Sequence, residues 1–124
     1  MIVESVELKD YRNYEFLDMN FNEHVNIIYG DNAQGKTNIL ESIYMCSTSK
    51  SHRGSKDREI VRFGEDESHI KLNVLKHGMK YRIDMHLKKN KTKGIAVNGI
   101  PIKKLLNFLE LLILFSFLRR ILIL

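Results

Sequence analysis

The chain has 124 residues, a length that allows one modest hydrophobic core and excludes two ordinary domains. With 44% hydrophobic and 28% charged residues, it has the composition of neither a disordered nor a fibrous protein. The net charge of +5 suits a polyanionic partner, and the single cysteine, Cys46, excludes an internal disulfide and fits a reducing cytosol. The first residues are charged and lack the apolar segment of a secretory leader, so we expect a cytoplasmic protein.

Apolar alternation predicts the first three strands. Residues 2–8 and 14–21 alternate between apolar and polar side chains, which is typical of two antiparallel strands. The polar residues 9–13 between them have the composition of a turn. Residues 24–30 predict a third, more buried strand ending at Gly30. We expect this strand to lack neighbours within the chain, which makes its stability doubtful.

One helix is predicted after the third strand. Apolar side chains recur at helical spacing between residues 37 and 47, so one face of this helix can pack on a sheet. The residues of that face are Ile39, Leu40, Ile43 and Tyr44. Residues 47–57 follow as a polar, Ser-rich loop.

Two hairpins are predicted in the second half of the chain. Alternation returns at residues 69–75 and 79–87, with His77 and Gly78 at the connection. A second turn is predicted at Asn98-Gly99, because these residue types tolerate the positive φ angles of a tight hairpin turn.

A phosphate loop lies between the third strand and the helix. Its eight residues fit the pattern G-x-x-x-x-G-K-[ST], and they are Gly30, Asp31, Asn32, Ala33, Gln34, Gly35, Lys36 and Thr37. Backbone N–H groups of such a loop cradle phosphate oxygens, and a helix opening at Gly35 adds further donors and a positive dipole end. Lys36 supplies a cation for the β and γ phosphates, and the Thr37 hydroxyl can ligate Mg²⁺. The strand and helix on either side argue against a chance match, so we predict ATP binding.

Three motifs resemble one family. "GDNAQGKTNILESIY" resembles the loop and first helix of the RecF, RecN and SMC group of ABC-type ATPases. "LKDYRNYEFLDMNF" and "SKSHR" are similar to segments of the RecF family in the same order and spacing. The resemblance runs from residue 1 to about residue 104. It implies an α/β fold, the P-loop ABC-type ATPase head, with a mixed sheet, N-terminal antiparallel strands, the phosphate loop and helix, and then a β-hairpin region.

The resemblance also implies a function and partners. A RecF-type head binds ATP, forms an ATP-dependent homodimer, and acts with RecR and RecO on DNA at single-strand gaps, so that RecA is loaded during the SOS response. Arg12 would approach the γ-phosphate, although a solvated turn arginine is an equal alternative. The roles of Ser51, His52 and Arg53 stay open. The alternatives are another SMC-like repair ATPase such as RecN, and a non-hydrolysing interaction or membrane-associated fragment.

Catalytic residues are not predicted in this chain. In heads of this class a Walker B carboxylate follows an apolar strand, and a signature loop comes from the second subunit. The nearest acids, Glu41, Asp57 and Glu59, do not follow such a strand. We therefore predict that the chain does not turn over ATP.

A basic stretch spans residues 76–104. It contains nine Lys or Arg residues and one acid, Asp84. These cations are either a contact for DNA phosphates or the solvated face of a hairpin whose lysines protect an exposed edge. The segment "KKNKTK" has no aromatic side chain for base stacking.

The last residues depart from the family, so we divide the chain into a head segment, 1–106, and an apolar tail, 107–124. The tail carries Glu110, Arg119 and Arg120, which are costly in a bilayer, and we predict no membrane association. An exposed apolar helix is a second interpretation. We favour a third, a shifted reading frame, because another frame with suitable codons restores a RecF-like segment here.

Overall fold

The computed structural model describes residues 2–28, 33–103 and 120–123. In chain order the elements are β1 (Ile2–Tyr11), β2 (Tyr14–Asn20), β3 (Asn26–Ile28), α1 (Ala33–Thr48), α2 (Asp57–Ile60), β4 (Glu67–Lys76), β5 (Met79–Lys88), β6 (Gly94–Val97), β7 (Ile100–Ile102) and β8 (Ile121–Ile123).

Two sheets form from these strands. The larger has the order β2-β1-β4-β5-β6-β7, and every neighbouring pair in it is antiparallel. The smaller joins β3 to β8 in parallel, with Asn26 opposite Ile121. The expectation that the third strand lacks a neighbour within the chain is therefore wrong, because the end of the chain supplies one.

The core lies on one face of the larger sheet. Strands β1, β4 and β5 alternate between buried and more exposed residues, so one set of side chains faces inward. Helix α1 packs against β4 and β5 and adds Ile43, Met45 and Cys46 to the core. Burial raises the pKa of the Cys46 thiol, so this cysteine behaves as a small apolar core residue.

The predicted strands and helix are confirmed with different bounds. Strand β1 continues to Tyr11, which pairs with Tyr14, so the turn contains only Arg12 and Asn13. The polar Lys9 and Asp10 were assigned to the turn, but a strand with one solvated face accepts polar residues. Helix α1 begins at Ala33 rather than at Gly35. Its N-terminal turn therefore includes part of the phosphate loop.

Both predicted hairpins are present. The turn between β4 and β5 has His77 at φ 51° and Gly78 at 76°. The turn between β6 and β7 has Asn98 at φ 51° and Gly99 at 80°. Positive φ at both central positions matches the right-handed twist of the flanking strands, which fixes the register of each hairpin.

Helix α2 was not predicted within the polar loop and the residues after it. It is one turn long, and Val61, the residue after it, forms a bridge with Tyr11 at the end of β1. The Arg12 N–H donates to the Ile60 carbonyl at 2.7 Å, and the Arg62 N–H donates to the Asp10 carbonyl at 2.8 Å. These contacts attach the loop after α1 to the β1–β2 turn.

The apolar tail is described only at residues 120–123, so the helix and membrane-span alternatives concern residues that lie outside the described ranges. Neither α1 nor α2, the helices of the described ranges, is long and apolar enough to cross a membrane.

Candidate functional site

The phosphate loop lies at the start of α1. Gly30, Asp31 and Asn32 are outside the described residues, whereas residues 33–37 belong to the first helical turns. Strand β3 ends at Ile28, two residues before Gly30, where the loop begins. The first turn of α1 carries no acidic residue that would oppose an anion at the positive end of the helix dipole. The strand, loop and helix order that the motif requires is therefore present.

Glu41 is a fully buried carboxylate on α1, and it is the centre of a polar cluster. Arg12 binds it through two hydrogen bonds, from Nε to Oε1 at 3.0 Å and from Nη2 to Oε2 at 2.7 Å. The Tyr11 hydroxyl donates to Oε1 at 2.7 Å, and the Ser51 hydroxyl donates to Oε2 at 2.6 Å. The guanidinium of Arg53 adds a fifth contact, with Nε 3.8 Å from Oε2.

These contacts keep Glu41 ionised. Burial raises the pKa of a carboxyl group, but the hydrogen bonds from Arg12, Ser51 and Tyr11 outweigh burial, and the pKa of Glu41 is lowered. Burial and the neighbouring negative charge of Glu41 raise the pKa of Tyr11, so Tyr11 stays a hydrogen-bond donor. The hydrogen bond to Glu41 raises the pKa of Arg12. The cluster is thus an ion pair in which both oxygens of the buried Glu41 carboxylate accept hydrogen bonds from protein side chains.

Arg12 is therefore held at the turn rather than free in solvent. Nη2 of Arg12 also donates to the Ser55 hydroxyl at 2.9 Å, and Nη1 donates to the Glu59 carbonyl at 3.4 Å. A guanidinium has five N–H donors. Among the described residues these bonds use four of them, which leaves one N–H on Nη1.

A second polar chain reaches the first part of α1. Asn38, which follows Thr37, is buried and donates from Nδ2 to Asn13 Oδ1 at 3.2 Å. Its Oδ1 accepts a hydrogen bond from Arg53 Nη2 at 2.9 Å. The β1–β2 turn and the loop after α1 thus both contact the residue next to the proposed Mg²⁺ ligand.

The three residues of the loop after α1 have different surroundings. Ser51 is buried against Glu41, and Arg53 contacts both Glu41 and Asn38. His52 is exposed, and its ring lies 5.6 Å from that of Tyr44. The sequence interpretation left all three open and did not assign Glu41 or Asn38 to a site. The signal in the sequence was Glu41, the one charged residue of the helix segment "NILESIYM".

A cleft of about 450 Å³ adjoins these residues. Its polar lining residues are Arg12, Asn13, Asn38, Arg53, Arg58, Glu59 and Lys89. Four of the seven are cations and one is an acid, and Glu41 behind Arg12 and Arg53 offsets one further positive charge. The remaining positive charge suits a phosphate-bearing ligand.

The basic stretch divides into two groups among the described residues. Lys76 and Lys80 lie at the turn end of the β4–β5 hairpin, whereas Lys88, Lys89 and Lys91 lie at the opposite end. Only the second group approaches the cleft, through Lys89. Lys93 is not available as a free cation, because its Nζ lies 3.1 Å from Asp57 Oδ1.

The fold and the phosphate-loop helix define the class: the chain has the fold of a P-loop ATPase head. A family model described as an AAA domain matches residues 5–117, so the chain belongs to that family. Over 104 residues, 84% of the chain, it is 99% identical to the DNA replication and repair protein RecF of Lachnospira eligens. The resemblance to RecF proteins is therefore confirmed, and the chain spans 29% of the length of that relative.

Solved structures agree with this assignment. The recombination mediator protein RecF with ATP, in the RecFOR pathway, aligns with a TM-score of 0.75 and 37% identity over 82% of this chain and 28% of that one. The SMC head domain from Thermotoga maritima aligns with a TM-score of 0.70 and 20% identity over 83% of this chain and 39% of that one. At 20% identity, the similarity to the SMC head is evidence for the fold and not for a shared function.

Proposed function

We propose that the chain is the ATP-binding part of a RecF-like DNA replication and repair ATPase. The observation that carries the proposal is the phosphate-loop sequence at the start of α1, after β3. The loop and the cationic cleft fit a nucleoside triphosphate, since both supply N–H donors and positive charge. The RecF name of the relatives and the ATP in the solved RecF structure support the same choice over RecN.

In this proposal residues 30–37 bind the triphosphate, with Lys36 at the β and γ phosphates and Thr37 as a ligand of Mg²⁺. Magnesium would neutralise phosphate charge. Arg12 contacts the γ-phosphate through the remaining N–H on Nη1, while Glu41 holds its other side. Arg53, bound to Asn38, adds a second cation beside the loop.

The wider activity is also a proposal. We infer a cytoplasmic protein that dimerises around ATP, binds single-stranded or gapped duplex DNA, and works with RecR and RecO to load RecA in the SOS response. The printed description of a solved relative as a recombination mediator supports this role. Lys88, Lys89 and Lys91 are the cations that we assign to DNA phosphates.

Lys36→Ala tests ATP binding. The substitution removes a charge-assisted contact of roughly 1.5–3 kcal/mol, so ATP affinity should fall by about 10-fold to 150-fold. Lys50→Ala is a matched control, because Lys50 is exposed just beyond the other end of α1. Equilibrium binding of a fluorescent ATP analogue measures the difference. Equal affinity in the wild type and Lys36→Ala would remove the assignment.

A salt titration tests the DNA contact. Replacing Lys89 and Lys91 with Gln should weaken binding to gapped DNA and reduce the slope of log affinity against log salt by up to about 1.8. Lys76 and Lys80, changed in the same way, are the control at the opposite end of the hairpin. If both double variants change the slope equally, these lysines contribute only general charge.

Phosphate release tests the absence of turnover. Cleavage of ATP requires a positioned water and stabilisation of charge on the γ-phosphate, in addition to a cradle. We expect the purified chain to bind ATP without releasing phosphate. Release that disappears in Lys36→Ala would reveal a catalytic carboxylate that the sequence interpretation missed.

The division at residues 106 and 107 also stays a proposal. The 99% identical match covers 104 residues, which supports a different origin for the tail, whereas the AAA domain match continues to residue 117. Sequencing the genomic DNA across codons 100–124 and beyond tests it. A RecF-like segment in a neighbouring frame would support the shifted frame, and its absence would reject it.

A further inference from the structure

A cluster of three metal-binding side chains lies on the outer face of the larger sheet, opposite the face that α1 covers. Glu67 and His69 are two residues apart on β4, so their side chains share a face. His86 lies on β5 directly opposite His69. The cluster therefore crosses two adjacent strands, and none of its residues belongs to the proposed ATP site.

The side chains are close together. The two imidazole rings stack with centroids 4.1 Å apart and planes inclined by 23°. One ligand atom from each of Glu67, His69 and His86 lies within 4.8 Å of the others. His69 and His86 also line an open groove of about 490 Å³, which gives a solvated ion access to the rings.

Nε2 of His86 is the atom that the described contacts do not explain. It is buried and has no hydrogen-bond partner among the described residues. Glu67 Oε2 lies 3.1 Å away, near enough for an ion pair, but the alignment required for a hydrogen bond is missing. Buried polar atoms in folded proteins normally have a partner, so this nitrogen is available to a ligand.

The spacing agrees with tetrahedral coordination. Zinc binds imidazole nitrogen and carboxylate oxygen at roughly 2.0–2.2 Å, which puts two ligand atoms of one tetrahedral ion roughly 3.4 Å apart. The 3.1 Å between Glu67 Oε2 and His86 Nε2 is already close to that value. Rotation of the exposed His69 ring would bring in the third ligand, and water would complete the shell.

The local charges allow a cation to bind. Charged side chains of both signs lie near the His69 ring. Glu67 and Asp10 add negative charge near this ring, whereas Lys9 adds positive charge.

We propose that Glu67, His69 and His86 form a zinc site that joins β4 to β5 on the outer face of the sheet. The ligand set, two imidazoles and one carboxylate, favours Zn²⁺ over Mg²⁺, because Mg²⁺ prefers oxygen ligands in an octahedral arrangement. The role that this arrangement supports is structural, since the site holds two strands of one hairpin together. The alternative is a stacked histidine pair with an adjacent carboxylate and no ion.

Zinc titration of the purified chain decides between these alternatives. Competition with a chromophoric chelator, in excess Mg²⁺ so that the phosphate loop does not contribute, should give one Zn²⁺ per chain. His69→Gln combined with His86→Gln should weaken binding by at least about 100-fold, since losing only an outer-shell partner of a ligand costs 10-fold to 100-fold. His24→Gln combined with His77→Gln is the matched control, because both histidines are exposed.

Two further measurements separate a lost ligand from a lost fold. Bound Co²⁺ should give the visible absorption of a tetrahedral site in the wild type and in the control, and not in the His69, His86 variant. Without metal, the variant should unfold at the same temperature as the wild type; with Zn²⁺, only the wild type and the control should gain stability.

If the double variant does not fold, Glu67→Gln carries the test, because the Glu67 side chain is 52% exposed. A loss of zinc affinity of about 10-fold or more in this variant would support the site. Unchanged affinity in either the double variant or Glu67→Gln would overturn the proposal, as would an equal loss in the His24, His77 control.

Discussion

Polar side chains on the two faces of the larger sheet differ in burial and in how completely they are hydrogen-bonded. On the face covered by α1, the carboxylate of Glu41 is fully buried and is bound by three side-chain donors. On the outer face, the ion pair of Glu7 and Lys71 is about one-third to two-fifths exposed, and Nε2 of His86 has no hydrogen-bond partner among the described residues.

This difference in burial distinguishes polar residues that stabilise the fold from polar residues that lie on its surface. A charge removed from water is tolerated only when it is paired and hydrogen-bonded, so the Glu41 cluster is an integral part of the fold. Its donors also come from the turn and the loop that border the cleft, which fixes the position of Arg12. The ion pair of Glu7 and Lys71 on the outer face needs fewer protein contacts, because water reaches both side chains.

Arg12→Ala should have the largest effect on stability. It removes the only bidentate partner of Glu41 among the described residues and leaves the buried carboxylate with two hydroxyl donors and the more distant Arg53, so the free energy of unfolding should fall by about 3–5 kcal/mol. Urea denaturation measures this change. Arg58→Ala, in the exposed wall of the same cleft, should stay within about 0.5 kcal/mol. Similar losses in both variants would show that cleft charge, and not Glu41, determines the result.

Tyr11→Phe should cost less, because it removes one hydrogen bond and leaves the ion pair intact. A hydrogen bond to a charged group contributes about 1.5–3 kcal/mol. Tyr81→Phe is a suitable comparison, since within the described ranges the Tyr81 hydroxyl has only a 4.0 Å contact to the sulfur of Met79. If the two variants are equally stable in urea, the Tyr11 hydroxyl contributes nothing specific to the cluster.

Acid should weaken the covered face selectively. The pKa of Glu41 is lower in the folded chain than its ordinary value of 4.5, so the unfolded chain binds more protons between the two values. The stabilisation from Glu41 is therefore fully present above about pH 4.5 and is lost as pH falls through the lowered pKa. Glu41→Gln should reduce this part of the pH dependence in urea melts. The same slope in both proteins would show that other carboxylates cause the acid sensitivity.

Lys71→Met on the outer face should have the smallest effect. Its Nζ lies 3.2 Å from Glu7 Oε2, but both side chains are partly exposed, and such pairs contribute about 0–1 kcal/mol. Thermal unfolding at low and high salt checks this. A loss comparable to that of Arg12→Ala would contradict the distinction between the two faces.

Local features of the sequence predicted much of this architecture. Asn98-Gly99 and the phosphate loop are each specified by a few neighbouring residues, so no tertiary information is needed to find them. The turn at His77 and Gly78 also sets the register of the β4–β5 hairpin. Once it pairs Lys76 with Met79, the same register puts His69 opposite His86.

The Glu41 cluster could not be predicted in the same way. Its donors come from the end of β1, the adjacent turn and the loop after α1, which are separated from Glu41 by 30, 29 and 10 residues. Only tertiary packing decides that these segments meet. The sequence alone therefore gave Arg12 two equal interpretations, a solvated side chain or a phosphate contact, and did not suggest that a buried acid positions it.

The pairing of β3 with β8 has a consequence for the order of folding. Asn26 hydrogen-bonds to the carbonyl of Arg120, which is 94 residues later, whereas β4 and β5 are joined by a two-residue turn. The entropy lost on closing a loop grows with its length, so long-range pairings form late. The β4–β5 hairpin should therefore form first, and the strand before the phosphate loop should be fixed in its parallel pair only after residues 121–123 have been synthesised.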